Sequence, residues 1–189
     1  MILYIHGFNS SPQSLKAQQT AQYLSLKLPH VSFVAPQIPP YPTQAINFLE
    51  NFFIENQKLI KGIVGSSLGG YLASYFVEKY SVKSVLVNPA VRPYELLSDY
   101  LGEQTNPYTN ERYHLQPEHM SELLAIDTPA ISRHHLYWLL QQEGDEVLDH
   151  TQAVSKYAGC KQTVEAGGDH SFQGYQRFLP DIVDFFGLR

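Results

Sequence analysis

Two short blocks of the chain carry reactive side chains in a setting that could use them. Gly65-Ser66-Ser67-Leu68-Gly69 fits the pattern G-x-S-x-G, and Gly167-Gly168-Asp169-His170-Ser171-Phe172 places a histidine just after two glycines. A serine hydroxyl is a weak nucleophile at its free pKa. It needs a base to take its proton and an acid to orient that base. The five-residue pattern is common by chance, and its bland alternative is a tight turn that binds nothing or holds an anion at a helix N-terminus. Its surroundings favour the chemical reading. Ile63 and Val64 precede it, and SLGGYLASYFVEKY follows as a helix. This is the strand–turn–helix context that lifts a serine above the carboxyl edge of a sheet. Ser66 occupies the variable position and should point elsewhere. No lysine follows Gly69 or Gly70, so a phosphate loop is excluded, and the glycine spacing does not suit a dinucleotide fingerprint.

Of eight histidines, His170 is best placed as the base, because its loop follows the last expected strand. His30, His114, His119, His134, His135 and His150 fall at element boundaries or in the irregular middle of the chain. The acid should lie between serine and histidine. The loop Glu143-Gly144-Asp145-Glu146-Val147-Leu148-Asp149 offers Asp145 directly after a glycine. Asp149 is the rival, although Thr151 beyond it suggests a helix N-cap. Asp169 adjoins His170 and is poorly placed to face its Nδ1. Acyl transfer also requires donors for the oxyanion. Leu68 offers a backbone N–H at the start of the elbow helix, and Phe8 offers one in the loop His6-Gly7-Phe8-Asn9-Ser10. His6 is a competing base whose better reading is a brace for that loop.

The elements that would hold these groups alternate. Expected strands are 2–5, 31–35, 61–65, 82–88, 134–142 and 161–166. Expected helices are 13–28, 43–56, the elbow helix, and 171–186, with short helices at 93–100 and 118–125. Apolar runs separated by helices predict an α/β fold with a parallel sheet, covered on both faces. Residues 1–189 read as one domain, with 91–133 as a short cap-like segment on the substrate side. Leu96, Leu97, Tyr100, Tyr108, Leu123 and Leu124 are its expected pocket residues, and Cys160 is expected to be a packing residue.

Composition narrows the partners. Thirteen Lys and Arg against 18 Asp and Glu give a net charge of −5 without a basic cluster, so nucleic acid is not an expected partner. One cysteine cannot form an intrachain disulfide. No apolar stretch is long enough to span a membrane, and the first residues lack a signal-peptide pattern. The expected location is cytoplasmic. Neither a metal nor an organic cofactor is expected, since ligand spacings such as H-E-x-x-H are missing.

Five blocks together resemble the small bacterial YqiA-type esterases of the α/β-hydrolase superfamily: HGFNSSP at 6–12, VGSSLGGYLA at 64–73, NPAVRP at 88–93, GDEVLD at 144–149 and GGDHSF at 167–172. The resemblance implies a minimal α/β-hydrolase fold lacking the first two strands of larger relatives. It implies a three-layer sandwich around a six-stranded parallel sheet of order 2-1-3-4-5-6. It places the serine, acid and histidine on Ser67, Asp145 and His170, and an oxyanion residue on Phe8. The implied substrates are small-molecule acyl esters, with acyl-CoA thioesters as a further class. The competing readings are a peptidase with the same side chains and a non-catalytic binding protein.

Overall fold

The computed structural model describes residues 1–189. Four apolar runs, buried at every position, form the inner sheet: β1 (Ile2–Ile5), β3 (Gly62–Ser66), β4 (Ser84–Val87) and β7 (Tyr137–Gln142). The two edges are β2 (Phe33–Val34) and β8 (Lys161–Glu165). The order is β2-β1-β3-β4-β7-β8, and every pairing is parallel. This is the expected order, with β7 and β8 as the fifth and sixth strands of the main sheet.

Side chains alternate between the two faces of this sheet, as strand geometry demands. Leu3, Ile5, Ile63, Leu86 and Leu139 meet α2 (Pro42–Asn56), α3 (Leu68–Tyr80) and α6 (His150–Lys156). Ile2, Tyr4, Val64, Val85 and Trp138 meet α1 (Leu15–Lys27) and α7 (Leu179–Phe185) on the other face. The result is a three-layer α/β sandwich with two apolar cores. Both faces are covered, so the inner strands can be apolar throughout.

Several boundaries differ from expectation. The 134–142 run starts as a 3-10 turn at His134–Leu136 before β7 begins. The 171–186 run is a 3-10 turn, Tyr175–Phe178, followed by the short α7. Gly174 adopts φ 72°, and Pro180 sits in the first turn of α7, which delays the regular helix. The 13–28 helix begins at Leu15, and α2 opens at Pro42, one residue before its expected start.

The segment 91–133 departs most. It contains α4 (Pro93–Leu96), a 3-10 turn at Leu97–Tyr100 and α5 (Pro117–Ala125). Between them lies an antiparallel hairpin, β5 (Gly102–Thr105) with β6 (Arg112–Leu115). Tyr113 and Leu115 point inward and are buried, while Arg112 and His114 face out. The Asn106 side chain accepts from the amides of Tyr108 and Thr109 and so shapes the hairpin loop.

Candidate active site

The turn from β3 to α3 is tight. Ser67 holds φ 54° and ψ −122°, a region that non-glycine residues rarely occupy. Its carbonyl accepts from Gly70 N at 2.9 Å and Ala90 N at 3.0 Å, and its amide donates to Val87 O at 3.1 Å. The backbone is thus held on both sides. A methyl group at Gly65 would stand 2.5 Å from Gly69 O, and one at Gly69 would run into the Ile5 carbonyl. Only glycine lets the helix sit this close to the strand ends.

Ser67 Oγ lies 3.1 Å from His170 Nε2. On the other side of the ring, His170 Nδ1 lies 2.9 Å from both Asp145 carboxylate oxygens. A carboxylate can only accept, so Nδ1 carries the proton and Nε2 is free to accept from Ser67. The Asp145 side chain is fully buried, and its Oδ1 also accepts from the amides of Val147 and Leu148 at 2.9 Å. Those two bonds point the carboxylate at the ring. Asp149 caps α6, accepting from Thr151 N at 2.9 Å. Asp169 turns away from the ring; its Oδ2 accepts from Gln173 Nε2. The three acids in contention therefore have three different partners.

The histidine loop depends on two residues that sequence reasoning passed over. Asn88, at the end of β4 with φ 40°, donates from Nδ2 to the carbonyls of Asp169 at 2.9 Å and His170 at 3.2 Å. Its Oδ1 accepts from Gln142 N at 2.9 Å. The Gln142 side chain then accepts from the amides of Asp169 and Gln173, and donates to Gln173 O. Both side chains are buried, where an unpaired amide is costly, and both are well satisfied. Asn88 stood in the block NPAVRP, a signal for it. Gln142 ended an apolar strand and gave none.

The loop after β1 closes against the elbow. A methyl at Gly7 would lie 3.1 Å from Ser67 Cβ. The Phe8 and Leu68 amides donate to no acceptor within the protein, and Leu68 opens α3, where an N–H has no intrahelical partner. His6 is buried below this loop. Ile38 N donates to its Nε2 at 3.0 Å, which leaves Nδ1 to donate to Gly7 O at 3.0 Å. Burial lowers its pKa, with the Gly7 carbonyl opposing the shift. His6 is a brace and does not touch Ser67.

The hairpin completes the loop's support, again without a forewarning in the sequence. Tyr113 OH donates to Asn9 Oδ1 at 2.7 Å, and Asn106 Nδ2 donates to Ser10 O at 2.9 Å. Lys16 reaches the histidine loop, donating to Ser171 O at 2.9 Å. Burial pulls its pKa down to about 8, against the opposing pull of Asp169 and Asp145. Of the six expected pocket residues, Tyr108 lines the cleft over Ser67. Tyr100 packs edge-on against Phe8, with ring centroids 5.9 Å apart. Leu123 is buried behind that ring, Leu97 is in the core, Leu96 lines a separate groove and Leu124 is exposed, so the last three do not reach the cleft. Cys160 packs against the larger core, and burial raises its pKa to about 11, as suits a thiol without a reactive role.

Parallel-sheet topology and this strand–elbow–helix arrangement define an α/β-hydrolase fold. Solved structures share it across nearly the whole chain. A protein of Agrobacterium vitis S4 superposes with a TM-score of 0.74 at 16% identity, covering 98% of this chain and 87% of that one. The esterase domain of a Rhodothermus marinus protein gives 0.67 at 14%, covering 100% and 86%. A Paleococcus ferrophilus monoacylglycerol lipase gives 0.67 at 13%, covering 100% and 94%. Identities this low establish shared fold. Residues 1–187 match the model of the Uncharacterised protein family (UPF0227), and the chain belongs to that family.

Proposed function

We propose that the protein is a serine hydrolase of carboxylic esters, acting through an acyl-enzyme on Ser67. The observation that carries this reading is the continuous chain Ser67 Oγ–His170 Nε2, His170 Nδ1–Asp145, with lengths of 3.1 and 2.9 Å. His170 accepts the Ser67 proton as the oxygen attacks the acyl carbonyl. Asp145 stabilises the imidazolium and keeps Nδ1 protonated. The oxyanion forms against the Phe8 and Leu68 amides, both of which lack an internal acceptor. His170 then protonates the leaving alcohol, and water repeats the sequence to release the acid. Thioesters are open to the same steps. Residues 91–133 act as a small cap, because their hairpin and Tyr100 lie against the loop that carries Phe8. The occurrence of an esterase domain and a lipase on the same fold supports this choice of bond.

Treatment with a serine-directed alkyl phosphonate should place one adduct on Ser67. Ser67→Ala should remove both the adduct and ester turnover while leaving thermal stability close to wild type. An adduct on Ser66, or sustained turnover in Ser67→Ala, overturns the assignment.

A further inference from the structure

We infer that the substrate joins a short acyl chain to a polar alcohol or thiol, the acyl chain entering a narrow chamber beyond Phe8. This rests on the esterase reading and adds the two ends of the substrate to it. A carbonyl oxygen seated at the Phe8 and Leu68 amides brings the acyl carbon beside those two residues. Their side chains belong to the wall of a mainly apolar chamber lined also by the polar Asn9, Ser10, Asn106 and Glu111 and by Ile38, Ala45, Leu72 and Leu123. The last four are buried in the larger core. An alkyl chain entering there leaves water, which favours binding by about fourfold per methylene. The chamber is small, with room for only a few carbon atoms, so the gain must stop early.

On the other side of Phe8 the cleft changes character. Over Ser67 and His170 it is lined by Ser10, Ser14, Lys16 and Ser171, with Tyr108 at the rim. Lys16 commits one N–H to Ser171 O, which leaves further donors. Asp145 and Asp169 offset its charge, so this side suits a hydroxylated group better than an anion. Both spaces are bounded by Gly7, Phe8, Asn9 and Ser10. Phe8 therefore borders both a mainly apolar chamber and a more polar cleft, close to where the ester bond would lie. A second groove, between Leu96 and Val147–Leu148, touches neither Phe8 nor Leu68.

The test uses 4-nitrophenyl esters and matched n-alkyl phosphonates from acetyl to decanoyl length. Wild-type kcat/KM and Ser67 labelling rates should peak near butyryl and fall at least about tenfold by octanoyl. Ala45→Val narrows the chamber. It should keep the acetyl rate and lose about tenfold at butyryl. Ile38→Ala widens the chamber and should move the peak to longer chains. Leu96→Trp, in the second groove, should leave the profile unchanged. For the polar end, a glyceryl ester should outpace the ethyl ester of the same acid. Circular dichroism checks each variant's fold. A profile that ignores both Ala45→Val and Ile38→Ala, or that moves with Leu96→Trp, overturns the chamber. Equal rates for glyceryl and ethyl esters overturn the polar side. If Ser67 is labelled but shows no chain-length preference, the esterase reading stands and this inference fails. If no phosphonate labels Ser67, both fall.

Discussion

Asp145 accepts from His170 Nδ1 at 2.9 Å, while Asp149, in the same loop, accepts from Thr151 N at the head of α6. Amidation separates the two roles. Asn at 145 presents the wrong partner to Nδ1–H, so Asp145→Asn should lower turnover on the order of 10⁴-fold with the fold retained. Asp149→Asn should cost at most about 1 kcal/mol, because Asn also caps well. Turnover of both variants at one pH decides the matter; a dead Asp149→Asn beside an active Asp145→Asn would reverse the assignment. His6 gives a second residue-level prediction. Burial lowers its pKa in the folded state, so the unfolded chain binds the proton more readily. Stability should therefore be intact above the ordinary histidine pKa of about 6.5 and decline as pH falls below it. His6→Gln removes that titration. Melting temperatures measured from pH 7 to 5 should fall more steeply for wild type than for His6→Gln, and parallel slopes would count against the buried neutral imidazole.

At the scale of elements, the strands of the sheet deliver the site from their carboxyl ends. β3 ends in the Ser67 elbow, β4 in Asn88, β7 in Gln142 and the Asp145 loop, and β8 in the His170 loop. Asn88 crosses between them: one side chain ties β4 to the histidine loop and to β7. Asn88→Asp keeps the shape but points a carboxylate oxygen at the carbonyls of Asp169 and His170. That substitution should lower kcat at least about tenfold with a smaller change in KM, and lower stability by about 1–3 kcal/mol. Phosphonate labelling of Ser67 should slow in parallel. Unchanged kcat alongside reduced stability would make Asn88 a structural residue only. These elements were largely legible from residue pattern, since buried parallel strands read as short apolar runs. The hairpin was not. β5, GEQT, has no apolar residue, and β6, RYHL, alternates over only four residues beside a loop with Asn and Pro, so short a pattern being indistinguishable from a turn until its inner face has something to pack on.

Across the whole molecule, an ion pair helps fasten the segment 91–133 to the body. Lys156 on α6 meets Asp127, just beyond α5, at 3.4 Å, and Asp127 also accepts from Tyr94 OH of α4 at 3.2 Å. The Lys156 side chain is almost wholly buried, and burial lowers its pKa while Asp127 opposes the shift. Removing one partner of such a pair leaves the other unmatched. Lys156→Met should destabilise by about 3 kcal/mol, and Lys156→Met with Asp127→Asn should recover part of that loss. Urea unfolding of the three proteins reads both numbers; a single variant as stable as wild type would mean the pair contributes nothing. No helix is long and apolar enough to cross a membrane.

The sequence by itself determined the alternation of strands and helices, the elbow at Ser67 and the two loops that carry Asp145 and His170. Each of these is written locally, in apolar runs, glycine positions and chain order. Sheet order was available only through resemblance to other chains. Sequence context favoured Asp145 over Asp149 and Asp169, and the tertiary structure brings Asp145 to His170 while giving the other two different partners. The tertiary structure also decided that Asn88, Gln142 and Tyr113 support the site. Their partners stand tens of residues away, at 170, 173 and 9, and a polar side chain gives no sign in sequence of the distant backbone group it satisfies.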